Sequence, residues 1–386
     1  MSLFSPIATF ELFHLQIPLA KPYKLSRLYG IKATADVIIL KVTLEDGTVG
    51  YGEADPHTPF TEETPQSIIS AIRDYFAPKL IGSFPQTIRA HNELMDALLP
   101  LNYMAKGAVD MALYDLCGKC LNIPASQLLG GRIHNQIPLL WPLGNGTAQD
   151  DLPLIEEKQA QGFQSFMLKM GNSPIAHEIT RLETLYDHFG DDLALVVDAN
   201  QGWSLKDSLL FTQYANQTPL ILLEQPVRKH LTHDLKSVKE NASFMVSADE
   251  SLSGKEEMID LVRNDCVDLF SLKVSKNGGI TKTKCLADIA YAAHKPVLMN
   301  SMLEFGITQA ASLQLGQTLP HLNTSLGHAY MSVLRMSDDF TDLNTQIDNA
   351  TITPNDEPGL GIAVDEEKIH RLAFQTIFIE NSSHAI

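Results

Sequence analysis

Leu193-Ala194-Leu195-Val196-Val197-Asp198 is a run of five apolar residues that stops at an acid. A run this short, apolar throughout and ended by a charge, reads as a strand buried on both faces. The same grammar recurs on either side. Residues 165–170 carry Lys169, 220–223 end at Glu224, 243–246 lead to Asp249, and 267–272 end at Lys273. These five polar residues are separated by 29, 26, 25 and 24 positions. A strand plus its return helix takes ~25 residues, and eight such units close a barrel. Residues 137–141 and 296–299 extend the series, and 321–325 supply the eighth and weakest candidate. The predicted fold class is α/β, a modified TIM (β/α) barrel. In such a barrel the polar residue at the carboxyl end of each strand faces one shared mouth.

The first hundred residues follow another pattern. Phe13, Leu15 and Ile17 alternate with His14 and Gln16, and Ile38, Leu40, Val42 and Leu44 alternate with Ile39, Lys41, Thr43 and Glu45. Asp46-Gly47 then signals a hairpin that returns through Val49-Gly50-Tyr51-Gly52-Glu53. Residues 62–79, 88–98 and 105–120 read as helices, the last with small Ala108 and Ala112 for close packing. Three segments result: an α+β domain over 1–130, the barrel over 131–350, and a C-terminal segment over 351–386 that returns to the first domain.

Composition excludes several classes of function. Twenty-nine basic residues against 46 acidic ones give a net charge of −17, so no cationic excess exists for nucleic acid or an anionic membrane. Four cysteines make no disulfide framework, and Cys117 and Cys120 read as two small residues on one helix. No apolar run approaches the ~20 residues of a membrane span, and no secretory signal is evident. The expected setting is the cytoplasm.

Asp198, Glu224 and Asp249 are carboxylates on three consecutive predicted strands. Clustered like charges repel unless a cation joins them. An all-oxygen set suits a hard divalent ion, Mg²⁺, with Mn²⁺ as the alternative. Lys169 and Lys273 bracket the acids in strand order. A lysine close to a divalent cation and to a second lysine has its charged form disfavoured, so its amine serves as a base. A proton alpha to a carboxylate is removable only when the resulting enediolate is stabilised, and a bound metal does that.

These residues resemble the enolase superfamily, in its muconate-lactonizing-enzyme subgroup. The resemblance is carried by Leu168-Lys169-Met170-Gly171, Asp198-Ala199-Asn200, Glu224-Gln225-Pro226, Asp249-Glu250-Ser251, Lys273-Val274-Ser275-Lys276-Asn277-Gly278-Gly279 and Met302-Leu303-Glu304. Gly50-Tyr51-Gly52-Glu53, Leu129-Gly130-Gly131 and Pro358-Gly359-Leu360-Gly361 match outside the barrel. It implies an α+β capping domain over the barrel, Asp198, Glu224 and Asp249 as metal ligands, and Lys169 and Lys273 as acid/base catalysts on opposite faces of the substrate. Asn200, Glu250, Lys276 and Glu304 then lie behind the ligands or against the substrate. Tyr29, with Tyr23 and Leu28, and His57, with Thr58, Pro59 and Phe60, fall in two loops that cover the substrate and select its non-reacting end.

Two departures bear on function. Where the subgroup carries Lys-x-Lys, this chain has Met167-Leu168-Lys169, and loss of the neighbouring cation should let the Lys169 pKa rise. Dipeptide epimerases of the subgroup carry Asp-x-Asp on the eighth strand, whereas residues 296–337 hold a single acid, Glu304. An N-acylated amino acid, a muconate-like diacid or another carboxylate therefore fits better than a free ammonium. A histidine base on strand seven is absent, and His294 and His321 read as strand-edge or loop residues. The implied activity is a metal-dependent isomerase working through an enediolate, a racemase, epimerase or cycloisomerase. The alternatives are a syn-dehydratase of the o-succinylbenzoate synthase type and a non-catalytic relative. The expected partner is a small-molecule carboxylate, with neither nucleic acid nor membrane, and the expected assembly is a homo-oligomer.

Overall fold

The computed structural model describes residues 4–190 and 193–380. The N-terminal part is a four-stranded antiparallel sheet in the order β14 (Gln375–Glu380), β1 (Ile7–Lys24), β2 (Ile31–Leu44), β3 (Val49–Ala54). The C-terminal tail thus supplies an edge strand, with Leu12 opposite Ile377. The alternation along β1 and β2 sorts the two faces. Phe10, Leu12, Ile38, Leu40 and Val42 pack under helices α1 (Pro65–Ser70), α2 (Ala77–Leu80), α3 (Ile88–Leu98) and α4 (Tyr103–Leu121). Phe13, Leu15, Ile17, Val37 and Ile39 belong to the core that continues into the barrel. A sheet buried on both faces needs apolar residues at both parities, which Ile38-Ile39-Leu40 provides.

The barrel wall is a seven-stranded parallel sheet: β5 (Leu140–Leu143), β6 (Ser165–Lys169), β7 (Ala194–Asp198), β8 (Leu222–Glu224), β9 (Met245–Ala248), β10 (Leu269–Leu272) and β11 (Val297–Met299). The predicted run 137–141 is split. Its first residues form β4 (Ile137–Pro138), which pairs with β13 (Thr351–Ile352) and, through it, with β12 (Ile347–Asp348) in a separate small sheet. The predicted eighth strand over 321–325 is also replaced by something less regular. Leu322 bridges Val297, and His328 bridges Leu139, so two isolated bridges close the ring. The His328 ring stands in for ladder bonds: Nδ1 accepts from the Met299 N–H at 3.0 Å, and Nε2 lies 3.0 Å from the Asn323 carbonyl. Burial pushes this imidazole down to about 4, so it serves as a neutral spacer. Gly327 is required there, because a Cβ would come 2.3 Å from the Leu139 carbonyl carbon.

The first domain sits on the barrel through a few specific contacts. Glu53, at the end of β3, accepts from the N–H groups of Phe305 (2.8 Å) and Ile307 (3.1 Å), at the start of the helix Gly306–Gly316. Orphan N–H groups of a helix start are met by a carboxylate from another domain. Asp115 of α4 accepts from the N–H groups of Tyr51 and Leu360, both at 3.0 Å, which joins the sheet to the tail. Cys117 and Cys120 are free thiols on α4. No helix among the described residues is long and apolar enough to cross a membrane.

The small residues of α4 let it lie directly on β3. A Cβ at Gly52 would stand 1.8 Å from the Ala108 carbonyl oxygen, a backbone atom that cannot swing aside. Gly52→Ala is therefore expected to lower unfolding free energy by about 2 kcal/mol or more, read as a lower urea midpoint. An unchanged midpoint would contradict this packing.

Candidate active site

The parallel register assembles the site. Lys169 pairs with Asp198, and Asp198 with Glu224, on adjacent strands, while Glu224 pairs with Ser247, two residues before Asp249. Each of these strands carries no charge before its carboxyl end, so the first charge emerges at the mouth. Asp198, Glu224 and Asp249 are 0% exposed, and each offers an oxygen such that all three lie within 4.8 Å of one another. Three buried anions at that separation form a poor structure by themselves. The strain is visible on Glu224, whose carboxyl is pushed well above its usual range by burial and by Asp198 and Asp249. A hard divalent cation fits this all-oxygen, strongly charged set.

The lysines are bound to the acids. The Lys169 ammonium donates to Asp198 and the Lys273 ammonium to Asp249. Lys276 adds bonds to Asp249 at the side chain (2.7 Å) and carbonyl (2.6 Å). Burial works to raise the Asp249 pKa, but Lys273 and Lys276 together hold it far below the usual range. Burial likewise works against the charge on Lys169 and Lys273, yet their carboxylate neighbours, Asp198 and Asp249 foremost, push both pKa values up. The acids therefore act on both lysines in the direction opposite to the depression expected from the sequence for a neighbouring cation. The physical reason is that a carboxylate bonded to each amine outweighs desolvation. Lys276 alone of the three is pulled down, by burial.

A surrounding layer fixes the acids. The Asn300 amide donates to Glu224 at 2.9 Å and to Ser271 at 2.9 Å. Gln225 Oε1 accepts from the N–H groups of Asp249 (3.1 Å) and Ser251 (3.0 Å). The Asn200 N–H donates to Asp198 at 2.8 Å, and its amide reaches Glu250 at 3.3 Å. Burial, then Asp249 and Asp198, raise Glu250 to about 7.

The two loops of the first domain close over this mouth. Tyr29, His57 and Phe60 line a pocket with Lys169, Lys273 and Met167. The Tyr29 hydroxyl is committed elsewhere: it donates to Glu250 at 3.1 Å and accepts from Gln201 at 2.5 Å. Lys273 lies 4.6 Å from the centroid of the Phe60 ring. His57 is driven down to about 3 by burial, then by Lys32, Lys273, Lys169 and Arg335, so its ring is neutral.

Glu304 is not in the pocket wall. It accepts from Ser301, Met302, Leu303 and, at 3.1 Å, Ser275, tying the loop after β11 to the loop after β10. His294 and His321 also stand outside the pocket. Asn300, Gln225 and Arg335 were not singled out by the sequence reading. Gln225 and Asn300 stand at strand ends, where the same positional logic points; Arg335 ends a short 3₁₀ helix (Ser332–Arg335) that carries no such signal.

Known proteins carry the same plan. The family described as mandelate racemase / muconate lactonizing enzyme, N-terminal domain, matches residues 7–130, and enolase C-terminal domain-like matches residues 153–368. A chloromuconate cycloisomerase of Pseudomonas putida is 30% identical over 356 residues, covering 92% of this chain and 95% of that protein. The crystal structure of an N-succinyl Arg/Lys racemase from Bacillus cereus superposes with a TM-score of 0.92 at 27% identity, over 97% of this chain and 100% of that one. The muconate lactonizing enzyme of Pseudomonas fluorescens, complexed with muconolactone, gives 0.90 at 27% identity, over 96% and 99%. With both family models matched and 92–97% of its length shared with these relatives, the chain belongs to the mandelate racemase/muconate lactonizing enzyme family of enolase-like enzymes.

Proposed function

We propose that this enzyme is a Mg²⁺-dependent racemase or epimerase that moves a proton at the carbon alpha to a substrate carboxylate. The observation that carries the reading is the placement of Lys169 and Lys273 at the two edges of one buried carboxylate cluster, both lining one pocket. Asp198, Glu224 and Asp249 would hold the ion. Bound there, the ion would offset the anionic charge that favours the protonated form of both lysines and would share the charge of the reacting carboxylate.

The lysines then divide the work. One, as the neutral amine, takes the α-proton: the C–H bond breaks, its electron pair passes into the enediolate, and the amine becomes an ammonium. The other, entering as an ammonium, delivers a proton to the opposite face, which forms the new C–H bond and leaves an amine. The reverse direction exchanges the roles. Tyr29, His57 and Phe60 exclude water above the reacting carbon, which strengthens each charge interaction below them. Cycloisomerisation needs only one of the two lysines to move a proton, so the behaviour of single-lysine variants separates the two reactions.

Lys169→Ala and Lys273→Ala are each expected to lower racemisation by at least about 1,000-fold. Each variant should still exchange the α-proton of one enantiomer with D₂O, and the two variants should choose opposite enantiomers. An amine ~3 Å from one face cannot reach a proton on the other. Racemisation of both enantiomers near the wild-type rate in either variant would remove the two-lysine assignment.

Glu224→Gln removes one of the three anionic ligands while keeping the shape. Purified protein should then hold markedly less Mg²⁺ by elemental analysis, with activity down by about 100-fold or more. Full metal content with full activity would place the ion elsewhere.

A further inference from the structure

Lys169 cannot depend on its ion pair alone for its aim. The ammonium donates to Asp198. A lysine that takes up and gives back a proton spends part of each cycle as a neutral amine, and the charge attraction is then gone. The amine stands at the end of a flexible four-carbon stem. The next residue on the same face of β6 is Met167, which offers no polar brace. What remains to aim the amine is the backbone at the root of the stem.

That backbone is clamped from one helix. The helix Ile175–Phe189 follows β6 and presents Glu178 and Arg181, three residues apart on one face and 2% and 4% exposed. Arg181 donates through Nη1 to the Lys169 carbonyl at 2.8 Å. Through Nη2 it donates to the carbonyl of Gly144, the residue after β5, at 2.9 Å. Its Nε and Nη2 also grip the buried Asp151, at 2.6 and 3.1 Å, which fixes the guanidinium plane. Glu178 takes the chain beyond the lysine. Its carboxylate accepts from the N–H groups of Gly171 (3.0 Å), Asn172 (3.0 Å) and Ser173 (2.8 Å). It also accepts from the indole of Trp203, in the loop after β7, at 2.8 Å. Between the two clamps the Met170 N–H donates to the Asp198 carbonyl at 2.8 Å. The backbone is thus tied at each of residues 169–173. A buried ion pair adds little stability over an apolar pair of the same size, so its use here points to precision of placement.

From this geometry we infer that Arg181 and Glu178 are positioning residues for Lys169. By holding the chain at and beyond the lysine, they keep its amine aimed at one face of the substrate when the ion pair to Asp198 is broken. Lys273 is anchored separately, its N–H donating to Asn277 at 3.0 Å, so the effect is confined to one face. The clamp is a matter of geometry alone; its kinetic consequence rests on the two-lysine reading of the function.

The test uses a double variant. Arg181→Met alone leaves Asp151 buried without a cation and endangers the fold. Arg181→Met with Asp151→Val replaces the pair by apolar side chains of about the same summed size, which buried sites often tolerate. Exchange of the α-proton in D₂O is followed for each enantiomer of an N-acyl amino acid panel with the Mg²⁺-loaded enzyme. Lys169→Ala and Lys273→Ala assign one enantiomer to each lysine. In the double variant, exchange of the enantiomer served by Lys169 should fall about 100-fold, in kcat rather than KM, while that served by Lys273 stays within about threefold. Arg181→Lys, which keeps a cation beside Asp151, should show the same asymmetry at about tenfold. Equal losses for both enantiomers, or no loss, would overturn the positioning role. If the wild type does not exchange both enantiomers of any compound, the two-lysine chemistry has failed, and the clamp is read by acetylation of the lysine amines, quantified by peptide mass spectrometry. Lys169 should then react at least about fivefold faster in the double variant, with Lys273 unchanged. An unchanged rate at Lys169 would overturn the clamp on that route too.

Discussion

Three carboxylates share a buried space at the ends of neighbouring parallel strands, and their mutual repulsion governs what surrounds them. Asp198, Glu224 and Asp249 are within 4.8 Å of one another and out of contact with water. Like charges at that distance, in a medium of low effective dielectric, cannot all remain ionised without cations. The chain places Lys169, Lys273 and Lys276 against two of the acids and leaves Glu224 to Asn300 and Ser247. The carboxyl of this third acid is accordingly pushed toward protonation, by burial and by its two neighbours. A divalent ion held by all three would resolve the conflict. Its charge would also change what the lysines face, which would couple cation binding to lysine basicity.

The first domain is connected to this balance through packing and hydrogen bonding. Glu53 holds the start of the helix after β11, and that segment begins with Asn300, whose amide fixes Glu224. Phe60 lies against Lys273, and Tyr29 reaches Glu250 beside Asp249. Both loops of the first domain therefore touch the charged residues directly. The glycines of β3 serve the same end, since the close approach of α4 at Gly52 sets the height of the sheet that carries Glu53 and the loop after it.

Much of the site was legible in the sequence because a βα unit has a nearly fixed length and a doubly buried strand stays uncharged to its end. Under those two constraints, the first charge after each run marks the barrel mouth, and Lys169, Asp198, Glu224, Asp249 and Lys273 fall out by spacing. The residues that escaped obey no such period. Arg335 is positioned by a backbone pairing between Pro18–Leu19 and Met336–Ser337, a contact made across more than three hundred residues of chain, with no local pattern to announce it. The eighth wall of the barrel hid for another reason. There the His328 ring and two isolated bridges replace a strand, so neither alternation nor an apolar run was present to read. Tyr29 was found, but the direction of its hydroxyl, toward Glu250 and away from a ligand, depends on a side-chain network that only the assembled fold defines.

The central claim is that a cation held by Asp198, Glu224 and Asp249 is coupled to proton transfer at a carbon alpha to a carboxylate. The most direct measurement is proton NMR of the α-proton of an N-acyl amino acid panel in D₂O, with enzyme stripped by chelation and the same enzyme reloaded with Mg²⁺. The account predicts loss of the α-signal with reloaded enzyme, no exchange with stripped enzyme, and recovery on adding Mg²⁺ alone. Exchange that continues at the full rate after complete chelation would contradict it.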